Sequence, residues 1–210
     1  MFNKWIVSAA LLVITLLAAD THAQTGNRLA VGMSLTSRIA GSSGTAGTSD
    51  VGFELRIGHE DKGWGWQESL FSWFDAGVEP KPGETSKVGD LRIRPLLLGY
   101  GYTWVRGRTT LTADVLGGYA FNSFHLDPDA TTDLLKRGAQ GIDTEATNTF
   151  AVKPEVQAWY DLSPRFGLKV DFGYLVARPS ITIKSTLGDD RRDVNADSFL
   201  ITVGVVYSIF

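Results

Sequence analysis

The sequence of 210 residues contains no cysteine, which excludes disulfides as a source of stability. Charge of one sign is not in excess either, because 20 Lys and Arg against 23 Asp and Glu leave a formal net charge of −3. Proteins that bind nucleic acid usually carry a basic surface. This near-neutral balance therefore argues against a nucleic-acid partner.

The sequence also lacks the patterns that hold cofactors. It has 3 histidines, and no group of His, Asp and Glu residues has the spacing of a metal site. No glycine-rich phosphate loop is present. We therefore predict neither a metal nor a cofactor.

No apolar run is long enough for a transmembrane helix, which needs about 20 apolar residues. The apolar stretch at residues 5–19 follows Lys4 and precedes a small-x-small sequence, Thr-His-Ala, at residues 21–23. This arrangement is typical of a secretory signal peptide. We expect residues 1–23 to be removed and residues 24–210 to form one exported domain.

Apolar and polar residues alternate along eight segments of the remaining chain. This period of two is typical of β-strands, and each segment approaches or exceeds the roughly 9–11 residues that a tilted strand needs to cross a bilayer. The segments are residues 28–36, 50–60, 64–74, 88–104, 109–122, 149–160, 166–178 and 198–210. We predict an all-β fold, an eight-stranded antiparallel transmembrane β-barrel.

The connections between these segments alternate in length. The short ones are residues 61–63, 106–107 and 161–165, and the long ones are residues 37–49, 75–87, 123–148 and 179–197. Outer-membrane barrels have short periplasmic turns and long extracellular loops. The long loops are therefore predicted to face the cell exterior, with both termini in the periplasm.

Aromatic residues cluster near the predicted strand ends, as in the aromatic girdles of membrane barrels. The predicted periplasmic girdle contains Trp64, Trp66, Tyr102, Trp104, Trp159, Tyr160, Phe166, Tyr207 and Phe210. The predicted extracellular girdle contains Trp73, Phe74, Phe121, Phe124, Phe150 and Tyr174. A soluble barrel or sandwich stays open as the alternative, because its core would use the same residues.

Two features disturb the alternation. In the third segment, the face that carries Trp64 and Trp66 leads to Glu68, so a bulge or a change of register is needed. Pro95 and Pro154 fall inside predicted strands, where proline cannot donate a hydrogen bond to the ladder. We expect the sheet to be distorted at these positions.

The last segment is an amphipathic strand that ends in an aromatic residue. It would leave an apolar edge exposed unless it were paired, so we expect it to pair with segments 28–36 and 166–178. In this overall pattern the chain resembles the small bacterial outer-membrane β-barrel proteins, a porin-like family typified by OmpA and OmpX. The resemblance implies that Tyr207 and Phe210 form an assembly signal read by the barrel-assembly machinery.

The same resemblance implies a location in the outer membrane of a Gram-negative bacterium, as a monomer. Outer-membrane lipid is then one partner. The charged segment at residues 188–193 suits contacts with lipopolysaccharide at the outer rim. Residues 132–138 begin with a capping Thr and end with Gly, which predicts one or two turns of helix in the longest loop.

Charged residues of both signs fall on the strand face opposite the lipid. A Lys or Arg at the lipid-facing midplane costs about 2–4 kcal/mol, so we place these residues inside the barrel. The predicted interior charge network comprises Glu54, Arg56, Arg92, Arg94, Asp114, Lys153, Glu155, Lys169 and Asp171. Because eight strands enclose only enough space for side chains, we interpret the network as a salt-bridged filling; a polar pore lining is the alternative.

One group of loop residues suggests catalysis. His125 lies near Ser123, Asp127 and Asp129, the residue types of a nucleophile, a base and an orienting acid. These residues are also ordinary turn composition, so we do not predict an enzyme. Asp127, Asp129 and Asp133 could equally hold calcium, but they lack the glycine and distal glutamate of an EF-hand loop.

The sequence therefore predicts a barrel with a structural, surface-interaction or narrow-channel role. Two alternatives stay open. The first is an outer-membrane hydrolase or acyltransferase that acts on lipid or peptide near His125, and the second is a small-solute porin. No loop carries a motif that identifies a ligand.

Overall fold

The computed structural model describes residues 29–41, 49–57, 62–70, 72–78, 80–81 and 87–208. The predicted signal peptide, residues 1–23, lies outside this part of the chain. The elements in chain order are β1 (Leu29–Gly41), β2 (Ser49–Ile57), β3 (Gly63–Ser69), β4 (Phe74–Val78), β5 (Gly89–Arg106), β6 (Thr109–Leu126), α1 (Pro128–Lys136), β7 (Asp143–Ala146), β8 (Thr149–Asp161), β9 (Phe166–Ala177), β10 (Ser180–Ser185), β11 (Gly188–Asp193) and β12 (Ser198–Ser208).

The main sheet is antiparallel and joins its strands in the order β2-β1-β12-β9-β8-β6-β5-β3, with β4 also paired to β5. Strands β3 and β4 both pair with β5; β3 matches the predicted segment 64–74, whereas β4 begins at Phe74 and otherwise lies in the connection predicted at residues 75–87. The two ends of this order, β2 and β3, are neighbours in the chain, as a barrel requires. The predicted fold, an eight-stranded antiparallel barrel, is confirmed.

The terminal strand is paired on both sides, as predicted. Strand β12 lies against β1, where Tyr207 is opposite Val31. On its other side it lies against β9, where the same Tyr207 is opposite Phe166. The predicted assembly residue Phe210 lies outside the described residues, so its role stays a prediction.

A β-bulge separates β3 from β4. Ser69 lies opposite Leu97, whereas Phe74 lies opposite Ile93, so β3 and β4 carry one residue more than β5 between these pairs. An extra residue reverses the alternation of side chains. As a result Trp66 is exposed on the outer face while Phe74 is buried inside. The bulge predicted from the alternation is confirmed, and we call it the β3/β4 bulge.

Both strand prolines sit where a ladder is interrupted. Pro95 lies opposite the β3/β4 bulge, where β5 has no described strand partner on that side. Pro154 lies in the β8–β9 ladder between Val152 and Glu155, where no residue pairs form. A missing N–H therefore costs no ladder bond on those sides, and the predicted distortions are confirmed.

The outer face of the main sheet carries a band of exposed apolar side chains. Met33 of β1 is 58% exposed, and Val205 lies opposite it on β12. The band continues through Phe172 of β9, Val156 of β8 and Leu98 of β5, all exposed. So much contiguous apolar surface is unusual for a soluble monomer and has the pattern of a lipid-facing barrel wall.

Three residues assigned to the aromatic girdles lie inside the barrel instead. Phe74, Phe124 and Trp159 are buried. The β3/β4 bulge turns Phe74 inward, and the other two share the inward parity of their strands. The indole N–H of Trp159 donates to Asp161 Oδ1 at 2.6 Å, so its polar atom is satisfied.

The two longest predicted loops contain regular structure. Strands β7, β10 and β11 form a second sheet in the order β11-β10-β7. Helix α1 begins earlier than predicted, with Asp127 as N-cap: its carboxylate accepts a hydrogen bond from the Asp129 N–H at 3.0 Å. We call α1 with these three strands the extracellular cap, after the orientation predicted for the long loops. Within the described residues, no helix is long and apolar enough to cross a membrane.

Candidate functional site

Four charged side chains of β8 and β9 meet inside the barrel. Lys153 Nζ contacts the Glu155 carboxylate and lies 3.5 Å from Asp171 Oδ1. Lys169 Nζ lies 3.6 Å from the other oxygen of Asp171. We call these four residues the interior charge cluster. Two ammonium groups offset two carboxylates, so the cluster buries no net charge.

The backbone around the cluster is shaped to admit it. Gly173 lies opposite Glu155, and a Cβ atom there would be 2.6 Å from the Cε of Lys153. Glycine thus leaves the space that the lysine stem occupies. On the other side of β8, Asp114 of β6 lies opposite Glu155 and is buried, which extends the acidic side of the cluster.

The prediction for Arg92 and Arg94 is wrong, because both share the outward face of β5 with Leu96. Their neighbours Leu91 and Ile93 fill the interior instead. The physical reason is their position along β5, near the end of the strand that joins the long loops. A lipid-facing arginine close to the membrane interface destabilises a barrel by only about 0–1 kcal/mol. Arg92 is also neutralised, since its Nε and Nη2 donate to the two carboxylate oxygens of Asp75, each at 2.9 Å.

Two further predicted network residues lie on β2, whose side chains are outside the described part of the structure. The ladder places Glu54 opposite Gly32 and Arg56 opposite Ala30. Their membership of the network stays a prediction. Tyr207, the described half of the predicted assembly signal, packs its ring against Phe166 with centroids 5.1 Å apart.

Hydrogen-bonded polar side chains also lie in the interior, on both sides of the cluster. Toward the short turns, the hydroxyls of Thr103 and Thr112 lie 3.1 Å apart. Toward the long loops, Arg38 is fully buried and its Nε donates to Ser198 Oγ at 2.9 Å. Paired polar groups of this kind tolerate burial, whereas unpaired ones do not.

A packed apolar core lies directly above the cluster. Leu116 of β6 is opposite Lys153 and marks the boundary between the two layers. The core is fully buried and continues out of the barrel into β10 of the extracellular cap. Its largest members are Phe74, Leu91, Ile93, Leu97, Leu116, Phe124, Leu175, Ile181, Ile183 and Leu200.

The extracellular cap encloses a cleft of about 340 Å³ between α1 and the β10–β11 hairpin. Its floor is apolar and includes Leu126, Leu134 and Ile183. Its rim is charged and includes two ion-pair groups. Arg137 Nη2 lies 2.6 Å from Asp133 on α1, and Lys81 and Arg192 both bind Asp190 at 2.6 Å.

These partners shift the pKa of the Asp190 carboxyl group. Burial alone would raise its pKa, and this is the largest single influence. The hydrogen bonds from Lys81 and Arg192 together outweigh burial and hold the pKa of Asp190 below its ordinary value. The group therefore stays ionised in mildly acidic solution. On the facing edge of the sheet, the hydrogen bond to Glu145 raises the pKa of Lys184.

The residues suggested for catalysis are near each other but not linked. His125 is exposed on β6 opposite Asp90, and Asp127 is engaged as the helix cap. Ser123 Oγ has no hydrogen-bond partner among the described residues. Across the same part of the chain, no group of three His, Asp or Glu side chains is placed to hold a metal ion.

The fold is shared with known outer-membrane proteins. The crystal structure of the outer membrane protein OprG from Pseudomonas aeruginosa matches with a TM-score of 0.70 and 15% identity, over 90% of this chain and 98% of that one. The solution structure of outer membrane protein W from E. coli matches with a TM-score of 0.51 and 12% identity, over 89% of this chain and 100% of that one. No protein-family model and no curated protein sequence matches the chain.

These neighbours confirm the resemblance to small outer-membrane β-barrel proteins. At such low identity the likeness establishes the fold alone. The interior, the cap and the outer wall of this chain must therefore be interpreted from its own residues.

Proposed function

We propose that the chain is a bacterial outer-membrane barrel with a sealed interior, and that it acts by binding molecules at its extracellular cap. The observation that carries this proposal is the filled interior, in which the interior charge cluster and the apolar core form successive layers. Eight strands enclose only enough room for side chains. A solute would have to displace both layers to pass.

The exposed apolar band supports placement in a membrane. Surfaces of this kind are stable where lipid replaces water. The predicted signal peptide and terminal aromatic residues support export and assembly in the outer membrane, through the barrel-assembly machinery. The long connections that form the cap then face the cell exterior. Binding is favoured over catalysis because Asp127, one of the residues suggested for catalysis, is engaged as a helix cap.

The cleft in the cap supports a surface-interaction role. Its volume of about 340 Å³ lies within the range of small-molecule sites, which begins at about 300 Å³. An apolar floor beneath charged groups suits a small amphipathic molecule. The cap also lies on the continuous apolar core, so the cleft is held by a rigid base, as binding sites require.

Planar-bilayer recording of the purified protein tests the sealed interior. Insertion is first verified by the heat-modifiable migration of the folded barrel on gels run without boiling. We expect inserted wild-type protein to show no large, stable conductance. Stable openings of an inserted barrel would contradict the sealed interior and would favour a narrow channel or a small-solute porin.

A further inference from the structure

A groove lies on the outer wall of the barrel beside the β3/β4 bulge. Its volume is about 460 Å³. The groove lies beside β5 between Ile93 and Leu97, where the ladder is interrupted and no described residue pairs with β5 on that side. Pro95 at this edge has no N–H to leave unsatisfied. We call this cavity the outer-wall groove. Its lining residues are Ser72, Trp73, Arg92, Arg94, Pro95, Leu96 and Phe121.

The groove stands at the upper edge of the lipid-facing band. Below it, on the same face of β5 as the lining residue Leu96, come the exposed residues Leu98 and Tyr100. Beside it on β6, Phe121 lies opposite Arg94 and packs against Tyr119 with ring centroids 5.8 Å apart. Aromatic residues of a barrel wall mark the level of the lipid headgroups. The groove therefore spans the boundary between acyl chains and headgroups.

The two arginines of the groove differ in their partners. Arg92 is neutralised by its two hydrogen bonds to Asp75. Arg94 is exposed and forms no ion pair with any described residue. A guanidinium group beside apolar side chains at the level of the headgroups attracts an anion. Its planar N–H groups can donate two parallel hydrogen bonds to the oxygens of one phosphate.

We propose that the outer-wall groove binds a phosphorylated acyl-chain lipid of the outer leaflet. The lipid phosphate lies on Arg94, and an acyl chain lies along Leu96 and Phe121. The apolar walls of the groove favour this ligand over free phosphate, because free phosphate has no apolar surface to bury against them. This proposal rests on the membrane placement given under the proposed function.

Strand β5 supplies a matched control for the test. Arg106 lies on the same outward face as Arg94, at the opposite end of the strand. The separation is about 40 Å at about 3.4 Å per residue. Arg106 is likewise exposed, and no ion pair joins it to the described residues. It does not line the outer-wall groove.

The experiment measures binding of lipid A to the full-length protein in maltoside micelles, by native mass spectrometry. We expect the change Arg94→Gln to weaken binding at least about 10-fold, as for the loss of one bidentate charged pair. Arg94→Lys should retain part of the affinity, and Arg106→Gln should match wild type. Dephosphorylated lipid A should bind wild type as weakly as lipid A binds the Arg94→Gln protein, and millimolar inorganic phosphate should not compete.

Equal affinity of wild type and Arg94→Gln would overturn the site, as would an equal loss in Arg106→Gln or displacement by inorganic phosphate. Heat-modifiable migration shows that each variant is folded, so these outcomes concern the groove alone. A wild-type protein that stays folded and soluble without detergent would overturn the membrane placement, and the lipid site with it.

Discussion

Trp66 and Phe74 lie on opposite faces of the same wall, although their positions in the sequence differ by an even number, eight. In an unbroken strand they would share a face. The β3/β4 bulge reverses the alternation and delivers Phe74 to the apolar core. Because of this one extra residue, the same stretch of chain places Trp66 on the outer surface and Phe74 in the core.

Deletion of Ser72 should remove this reversal. Phe74 and Ala76 would then face the lipid, and the core would lose two buried residues. A one-residue slip moves a whole strand to the wrong face, so we expect no heat-modifiable folded form in a gel assay. The substitution Ser72→Gly, which keeps the residue count, should fold. Normal folding of the deletion would show that the bulge does not set the register.

The change Lys153→Met should destabilise the barrel. It leaves Glu155 and Asp171 buried with one ammonium group between them, and breaking a buried pair commonly costs about 3–5 kcal/mol. The free energy of unfolding can be measured by urea titration of the protein in lipid vesicles. Lys136→Met on the exposed helix α1 is the control and should have no effect.

A second change tests whether this cost is electrostatic. Adding Glu155→Gln to Lys153→Met should recover part of the lost stability, because it removes one uncompensated carboxylate. If Lys153→Met is as stable as wild type, the interior charge cluster does not hold the barrel together. If the double variant is no better than the single one, the loss comes from packing.

Gly167→Ala should also destabilise the barrel, because the added methyl group would overlap the ring of Trp159. Overpacking of this kind typically costs about 1–3 kcal/mol. Gly65 is the matched control, since a Cβ there meets no atom within 4 Å. Urea unfolding of both variants gives the comparison. A Gly65→Ala loss as large as that of Gly167→Ala would contradict the packing argument.

Acid should loosen the β10–β11 hairpin through Asp190. Its pKa is lowered in the folded protein, so its ion pairs stabilise the hairpin above the ordinary pKa of about 3.9. That stability is lost as the pH falls below this value through the lower folded pKa. Hydrogen exchange should show amide protection of the hairpin falling over this range.

The change Asp190→Asn should abolish that acid-dependent step in hydrogen exchange. Asp189→Asn is the control, because Asp189 is an exposed neighbour outside the ion pairs with Lys81 and Arg192. We expect it to keep the wild-type pH profile. An unchanged profile in Asp190→Asn would assign the acid sensitivity to another group.

Surface labelling tests the orientation, and the cysteine-free sequence makes it direct. Leu187 lies exposed near the tip of the β10–β11 hairpin, and Lys62 lies exposed at a short turn. On intact cells an impermeant maleimide should label Leu187→Cys and leave Lys62→Cys unlabelled. After cell lysis both should react. The reverse pattern on intact cells would invert the topology.

Alternation of side chains was sufficient to predict most of the fold. It located every strand of the main sheet except β4, because one face meets lipid and the other a packed interior. It also brought Lys153, Glu155 and Asp171 together correctly, since β8 and β9 alternate cleanly through those positions.

The same signal failed where both faces are apolar. Around residues 91–98 of β5 the interior is the apolar core and the exterior is the lipid-facing band, so polarity could not assign a face to Arg92 and Arg94. The strands of the extracellular cap were missed for a different reason. Strand β11 is held by its ladder with β10 and by ion pairs, and its charged sequence has no apolar alternation.

The apolar core that passes from the barrel into β10 has a mechanical consequence. Ile181 and Ile183 of the cap belong to the same buried apolar cluster as Leu91 and Leu116 of the wall, so the cap cannot tilt or lift without opening a void beneath it. Close-packed interiors resist such voids. Above the pH range in which Asp190 titrates, we therefore expect the cap to move with the barrel as a single body and to melt with it in one cooperative step.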